Sequence, residues 1–144
     1  MTGVVPGPAV PAQQQFRAVP GETGIVVHTW KLPIAFGIGT KITVNGYPIP
    51  DTKWGANFVP GPPGVHTVAV DATQWGMAYG GNFARVEVFP GHTTEVHYTA
   101  PAQIYMKGAV SAERQSAPGL VYTYLALAFV VLMLVGFVAL MVAV

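Results

Sequence analysis

Two hydrophobic patterns divide this chain, and a third stretch has neither. From Leu120 to Val144 the sequence "LVYTYLALAFVVLMLVGFVALMVAV" holds no charged residue and no proline. At 1.5 Å rise per residue such a run makes a helix about 37 Å long against a hydrocarbon layer of about 30 Å, which predicts one membrane span with some tilt. A helix apolar on every face needs lipid or a large core around it, and the remaining chain is too short to enclose one. Upstream, from Gly24, the period changes to two. "GIVVHTWKL" alternates in the manner of a half-buried strand, and "TKITV" and "YPI" flank Asn45-Gly46, a pair suited to the two-residue turn that needs positive φ at both centres. "PGPPG" precedes "VHTVAVD", and Pro90-Gly91 separates "FARVEVF" from "HTTEVHYTA". About six or seven turn-separated strands with no amphipathic helix predict an all-β fold, a small immunoglobulin-like sandwich, followed by one C-terminal transmembrane helix.

The patternless stretch is Met1–Gly24, rich in Pro, Gly, Ala and Gln. It lacks the apolar area that offsets ordering entropy and reads as an extended or disordered arm. Two uses stay open, a passive leader and an arm that orders along a partner subunit. The expected organisation is an arm over 1–24, a β-sandwich over 25–109, a linker over 110–119 and the span over 120–144.

Composition narrows the function. In 144 residues, seven Lys and Arg stand against six Asp and Glu, for a net charge of +1. That balance carries no basic field for nucleic acid. The absence of cysteine removes disulfide frameworks, thiolate metal sites and cysteine nucleophiles together. Charged residues make up 9% of the chain, far below the usual share of about a quarter. The span accounts for part of this deficit, and the rest implies a domain partly covered by something else. Met1–Gln15 has no cationic start and no apolar core, so no signal peptide is expected. Lys107 and Arg114 precede the span and nothing positive follows it, which places the N-terminal domain in the cytoplasm as a single-pass, tail-anchored protein of the cell membrane.

The imidazoles are His28, His66, His92 and His97. An odd separation puts His92 and His97 on opposite faces of one strand, so they cannot share a metal. Glu95 and His97 share a face, and a zinc set would need His28 or His66 from across the sheet. Surface histidines satisfied by ordinary hydrogen bonds are the simpler expectation, so no metal is assigned. Asp51, Asp71, Glu87 and Glu95 form no acid–base motif, and the two serines, Ser111 and Ser116, lie in the stretch leading to the span, which leaves a triad no credible nucleophile. The span has no histidine for haem. The glycine clusters in "GIGTKITVNG" and "YGGN" do not join a parallel strand to a helix, so they read as turns and cradle no phosphate. No catalytic residue and no cofactor are expected.

Recognition residues are better represented. Trp54, Trp75 and Tyr79 are expected in glycine-punctuated loops rather than strand interiors and are the candidate protein-contact aromatics. Core packing, a membrane-surface contact and a sugar-stacking platform are the other readings of this set. Tyr122 and Tyr124 stand in the first turn of the span, where an interfacial aromatic belt belongs. Ala128, Gly136, Ala139 and Ala143 follow one helical face, the small-residue surface that lets a second helix approach closely. Docked helix and lipid-facing anchor both remain open.

The strand and turn order "ITVNGYPIP", "VPGPPGVHTVAV", "ARVEVFPGHTTEVHYTAP" resembles PEGA-type modules over Ile42–Tyr98. "PGPP" and the insertion "TQWGMAYGGN" depart from that pattern. The resemblance implies a binding or spacing unit on a membrane protein, with no catalytic residues. The whole layout is similar to small actinobacterial accessory subunits of respiratory complexes, including the cytochrome bcc–cytochrome c oxidase supercomplex. That likeness implies a subunit carrying no haem or copper, with membrane lipid and other subunits of the complex as partners. The expected function is therefore a non-catalytic, single-pass accessory subunit with a structural or assembly role. The alternative is an independent tail-anchored module binding a soluble ligand or glycan.

Overall fold

A computed structural model describes residues 16–144. The part of the N-terminal arm before Phe16 lies outside the described residues. Strands β1 (Arg17–Pro20), β2 (Gly24–Trp30), β5 (Gly55–Pro60), β8 (His92–Thr99) and β9 (Ala109–Ser111) form one sheet. Strands β3 (Gly39–Val44), β4 (Tyr47–Pro48), β6 (Gly64–Gln74) and β7 (Met77–Val88) form the other. Helix α1 (Leu120–Ala143) follows, the only helix among the described residues. The fold is thus mostly β in two sheets with one apolar C-terminal helix, as the periodicity predicts.

Alternation decides which side chains face inward. In β2, Ile25, Val27 and Thr29 are buried while Val26, His28 and Trp30 are half-exposed. In β6, Val68, Val70 and Ala72 are buried. Val86 and Val88 of β7, Val96 and Tyr98 of β8 and Ile42 of β3 complete the core between the sheets. Truncating a residue such as Ile42 to alanine removes about 2–5 kcal/mol in a site of this kind.

The first sheet joins sequence-distant strands. β2 and β8 run parallel, with His28 opposite His97 and Trp30 opposite Thr99. On the other side of β8, β1 pairs with its first half, Arg17 opposite Glu95, and β9 pairs with its second half, His97 opposite Ser111. The sheet therefore includes Arg17–Pro20 and extends to Ser111, beyond the expected limits of 25 and 109 on both sides. These two strands are short, and each pairs only because β8 supplies a ready-made edge.

In the second sheet the expected Asn45-Gly46 turn is present, with φ of 53° and 84°. The stretch "TQWGMAYGGN", unlike the loop expected, forms a second two-residue hairpin. Trp75 and Gly76 occupy its turn with φ of 51° and 77°. "YGGN" is not a turn either. The register shifts between Val70 and Ala72, so that Gly80 and Gly81 together oppose Asp71. Gly80 has φ of 63°, the left-handed residue of a glycine bulge. The Gly80 carbonyl bulges toward β8 and accepts the Tyr98 hydroxyl at 2.8 Å and the Gly108 N–H at 2.7 Å. Tyr98 is fully buried, and burial raises its phenol far above the ordinary range.

Strand direction sorts the connections into two ends. The turns after β1, β3, β5 and β7 lie at one end. The loop 31–38, the Trp75-Gly76 tip, the segment 100–108 and the approach to α1 lie at the other, called here the helix end.

Candidate functional site

Three sets of residues carry candidate function, and the structure places them in different surroundings. The first is α1. Its 24 residues include none that is buried, and only Leu120, at its start, lines a groove of the β domain. Its length, about 36 Å, exceeds an apolar layer of about 30 Å by roughly four residues. That excess leaves Tyr122 and Tyr124, both exposed, in the first turn and a half. Ala128, Gly136, Ala139 and Ala143 are likewise exposed and fall within an arc of about 80° at 100° per residue. A Cβ at Gly136 would meet open space, so the small-residue face is unoccupied within this chain. The helix is long and apolar enough to cross a membrane.

The second set is the aromatic trio, and the fold separates it. Trp54 packs against the core edge and donates its indole N–H to the Ile38 carbonyl at 2.6 Å. Tyr79 lies inside β7, against the core, instead of in a loop. Burial raises its pKa. Trp75 sits on the hairpin tip and is 88% exposed. One of the three is thus free to touch a partner with most of its surface, and the other two brace the end of the sandwich on which it stands. Composition showed the aromatics, whereas their separation depends on which strands pair.

The third set is a polar and aromatic cluster on the outer face of the first sheet. The rings of His28 and His97 stack with centroids 4.7 Å apart and planes 15° from parallel. His28 Nε2 lies 4.0 Å from a Glu95 carboxylate oxygen. Trp30 Nε1 donates to His97 Nδ1 at 3.4 Å, and the Arg114 guanidinium lies 4.2 Å above the Trp30 ring. Burial lowers the His97 pKa, neighbouring His28 lowers it further, and Glu95 and Glu113 partly oppose the shift. His66 belongs to the other sheet and bonds Asn45 and the Pro62 carbonyl, so it cannot join Glu95 and His97. His92 bonds the Pro90 carbonyl at the turn. Among the described residues no three His, Asp or Glu side chains are grouped so as to hold a metal ion. The parity of β2 puts His28 and Trp30 on one face, a signal legible in sequence; the parallel pairing that sets them against His97 is not.

The chain thus combines a two-sheet β domain with one apolar helix. Its sequence and fold match no known protein family, no curated protein and no solved structure.

Proposed function

We propose that this protein is a non-catalytic, single-pass membrane accessory subunit, with α1 as its span and the β domain held on the cytoplasmic side against a larger membrane complex. The observation that carries this reading is α1 itself: 24 uncharged, predominantly apolar residues with none buried against the domain they follow. A helix of that character has no place in water, because its whole circumference is hydrocarbon. The cytoplasmic side rests on Lys107 and Arg114 ahead of the span. The respiratory setting, as part of a cytochrome bcc–cytochrome c oxidase assembly, rests on the likeness of layout alone. The rival reading, an independent ligand- or glycan-binding module, is favoured by the exposure of Trp75, an aromatic of the kind that stacks on sugars.

Purification of the tagged full chain in mild detergent tests the proposal. A stoichiometric multi-subunit complex is the expected result, and a lone monomer favours the rival. Replacing Gly136 and Ala139 by Leu keeps the span hydrophobic but blocks close helix approach, so the variant should stay in the membrane and leave the complex. Phe137→Leu, on another face, should not. If both variants remain in the complex, the docking surface lies in the β domain.

A further inference from the structure

The helix end of the sandwich gathers six exposed apolar side chains that the core does not use. Ile34 and Phe36 project from the loop after β2, Trp75 and Met77 from the tip of the β6–β7 hairpin, and Ile104 and Tyr105 from the segment after β8. Phe36 is 82% exposed, Trp75 88% and Tyr105 80%, and the other three are exposed as well. These segments are neighbours. Leu32, Ala35, Ile38, Gln74, Tyr79 and Ile104 line a common groove, and Leu32 shares a second groove with Ala117 and Leu120, where α1 begins. Apolar surface on separate loops is thereby gathered around the point where the helix departs.

The junction with α1 leaves the domain no slack. The Ala102 N–H donates to the Pro118 carbonyl at 2.8 Å, and the Thr99 hydroxyl donates to the Gln115 carbonyl at 2.9 Å. Gly119, with φ of 81°, packs against Met106, and the Leu120 and Thr123 N–H groups bond Ala117 and Gly119 at 3.1 and 3.0 Å. The helix therefore starts directly from a hydrogen-bonded edge of the domain. If α1 enters a bilayer at Leu120, the segment holding Ile104 and Tyr105 must lie within a few residues of its surface.

The backbone at Trp75 supplies an independent indication. Asn45-Gly46 and Trp75-Gly76 are the same two-residue turn, with positive φ at both positions. Asparagine tolerates the left-handed region because its short side chain bonds the local backbone, whereas tryptophan has no such compensation. A large ring held there at a cost, and then left exposed, marks a residue kept for what its side chain touches. Charge completes the description. The segments 31–38, 74–77, 100–108 and 115–119 hold two cations, Lys31 and Lys107, and no Asp or Glu.

We propose that the helix end of the β domain seats on the membrane surface, with Ile34, Phe36, Trp75, Met77, Ile104 and Tyr105 in the headgroup region and the cations facing anionic lipid phosphates. Trp and Tyr favour that layer because one part of each ring is apolar and another bonds water, and Lys and Arg there gain from anionic headgroups. The proposal rests on the reading of α1 as a span. It adds that the domain lies down on the bilayer, which fixes its orientation toward any larger complex.

The chain contains no cysteine, so single introduced cysteines place a label at one site each. The full chain is reconstituted in vesicles of phosphatidylcholine with and without phosphatidylglycerol. Nitroxides are attached at Phe36→Cys, Trp75→Cys and Tyr105→Cys, at Tyr47→Cys and Val65→Cys as controls on the second sheet, and at Leu132→Cys in the span. Collision rates with oxygen and with a water-soluble nickel chelate give the depth of each. The expected result is headgroup depth for the first three, deepened by phosphatidylglycerol, with water at Tyr47 and Val65 and the bilayer interior at Leu132. Trp75→Asn, which suits the turn, should raise nickel access at the Tyr105→Cys label about threefold or more by removing an interfacial anchor. Aqueous values at all three helix-end sites with Leu132 still deep would overturn the seating and leave the span intact, while an aqueous Leu132 would overturn the span itself. Exclusion of both oxygen and nickel at those sites in native membranes would assign the end to a protein partner and refute the lipid contact.

Discussion

The two ends of the sandwich are built from the same kinds of turn but closed by different chemistry. At the end away from α1, the turns are tied to one another by polar groups. The Gly21 N–H bonds the Gly91 carbonyl at 3.0 Å, the Gly91 N–H bonds the Thr23 hydroxyl at 2.9 Å, and the Thr93 hydroxyl bonds the Glu22 carbonyl at 2.6 Å. Asn45 closes the β3–β4 turn by accepting the Thr67 N–H at 2.9 Å and bonding His66 at 2.8 Å. At the helix end the turn residue is Trp75, and the neighbouring loops expose Ile34, Phe36 and Tyr105. Turn geometry does not explain the difference, since both hairpins use positive φ twice. Tyr47, Val65 and Phe89 are exposed toward the far end as well, but there the turns themselves are polar and bonded to one another, whereas at the helix end the turn residue is an exposed ring flanked by apolar loops.

The largest expected effect breaks the brace beneath the helix end. Gly108 lies so close to the Tyr98 ring that a Cβ there collides with it, and it would also lie 2.6 Å from the Gly80 carbonyl oxygen. Gly108→Ala should lower stability by about 3 kcal/mol, because one contact is backbone and the ring is fully buried. Guanidinium unfolding of the full chain in detergent, followed by tryptophan fluorescence, reads this. A loss below about 0.5 kcal/mol would mean that the bulge and its tyrosine do not hold this end.

Exchanging the two turn residues sharpens the comparison directly. Asn45→Ala forfeits the bond from Thr67 and leaves a Cβ residue at positive φ, for an expected loss of about 1.5 kcal/mol in the same assay. Trp75→Asn should change stability in the opposite direction, by about +0.5 kcal/mol, because the turn prefers asparagine and the ring buries little within the chain. If Trp75→Asn destabilised as much as Asn45→Ala, the ring would be structural and the contrast between the ends would fail.

The smallest effect concerns the cluster between the ends. His97 is held below the ordinary imidazole value by burial and by His28, with Glu95 and Glu113 in partial opposition. The unfolded chain therefore takes up a proton before the folded chain does. Stability should be full above about pH 6.5 and should fall as pH drops below it, toward the lowered folded value. Urea midpoints measured from about pH 7.5 to 5.5 should show this decline, and His97→Gln should reduce it. A decline unchanged by the substitution would place its origin elsewhere.

Much of the architecture was legible because it is local. The apolar run of α1 needs no partner strand to be read, and Asn45-Gly46 announces its turn through the two residues that adopt it. Alternation in "GIVVHTW" marks a strand from local residues alone, and its parity carries the shared face of His28 and Trp30. β1 was not legible, because "RAVP" within a Pro-rich stretch has no strand pattern of its own and depends on an edge of β8 far along the chain. The second hairpin was missed for the opposite reason. Tryptophan is a poor left-handed residue, so "QWGM" does not advertise a two-residue turn.

The sequence by itself determined the apolar helix, the strand periods, the polar turns and the lack of cysteine chemistry, since each depends on residues within a few positions of one another. Only the tertiary structure decided that β2 and β8 run parallel, that His28 stacks on His97, that Trp54 and Tyr79 are packed while Trp75 is free, and that Phe36, Trp75 and Tyr105 gather where α1 departs. Those outcomes depend on contacts between strands dozens of residues apart. Period-two alternation says which face a side chain takes but not which strand lies beside it, because every β edge offers the same hydrogen bonds and the choice among edges is made by the packing of the whole core.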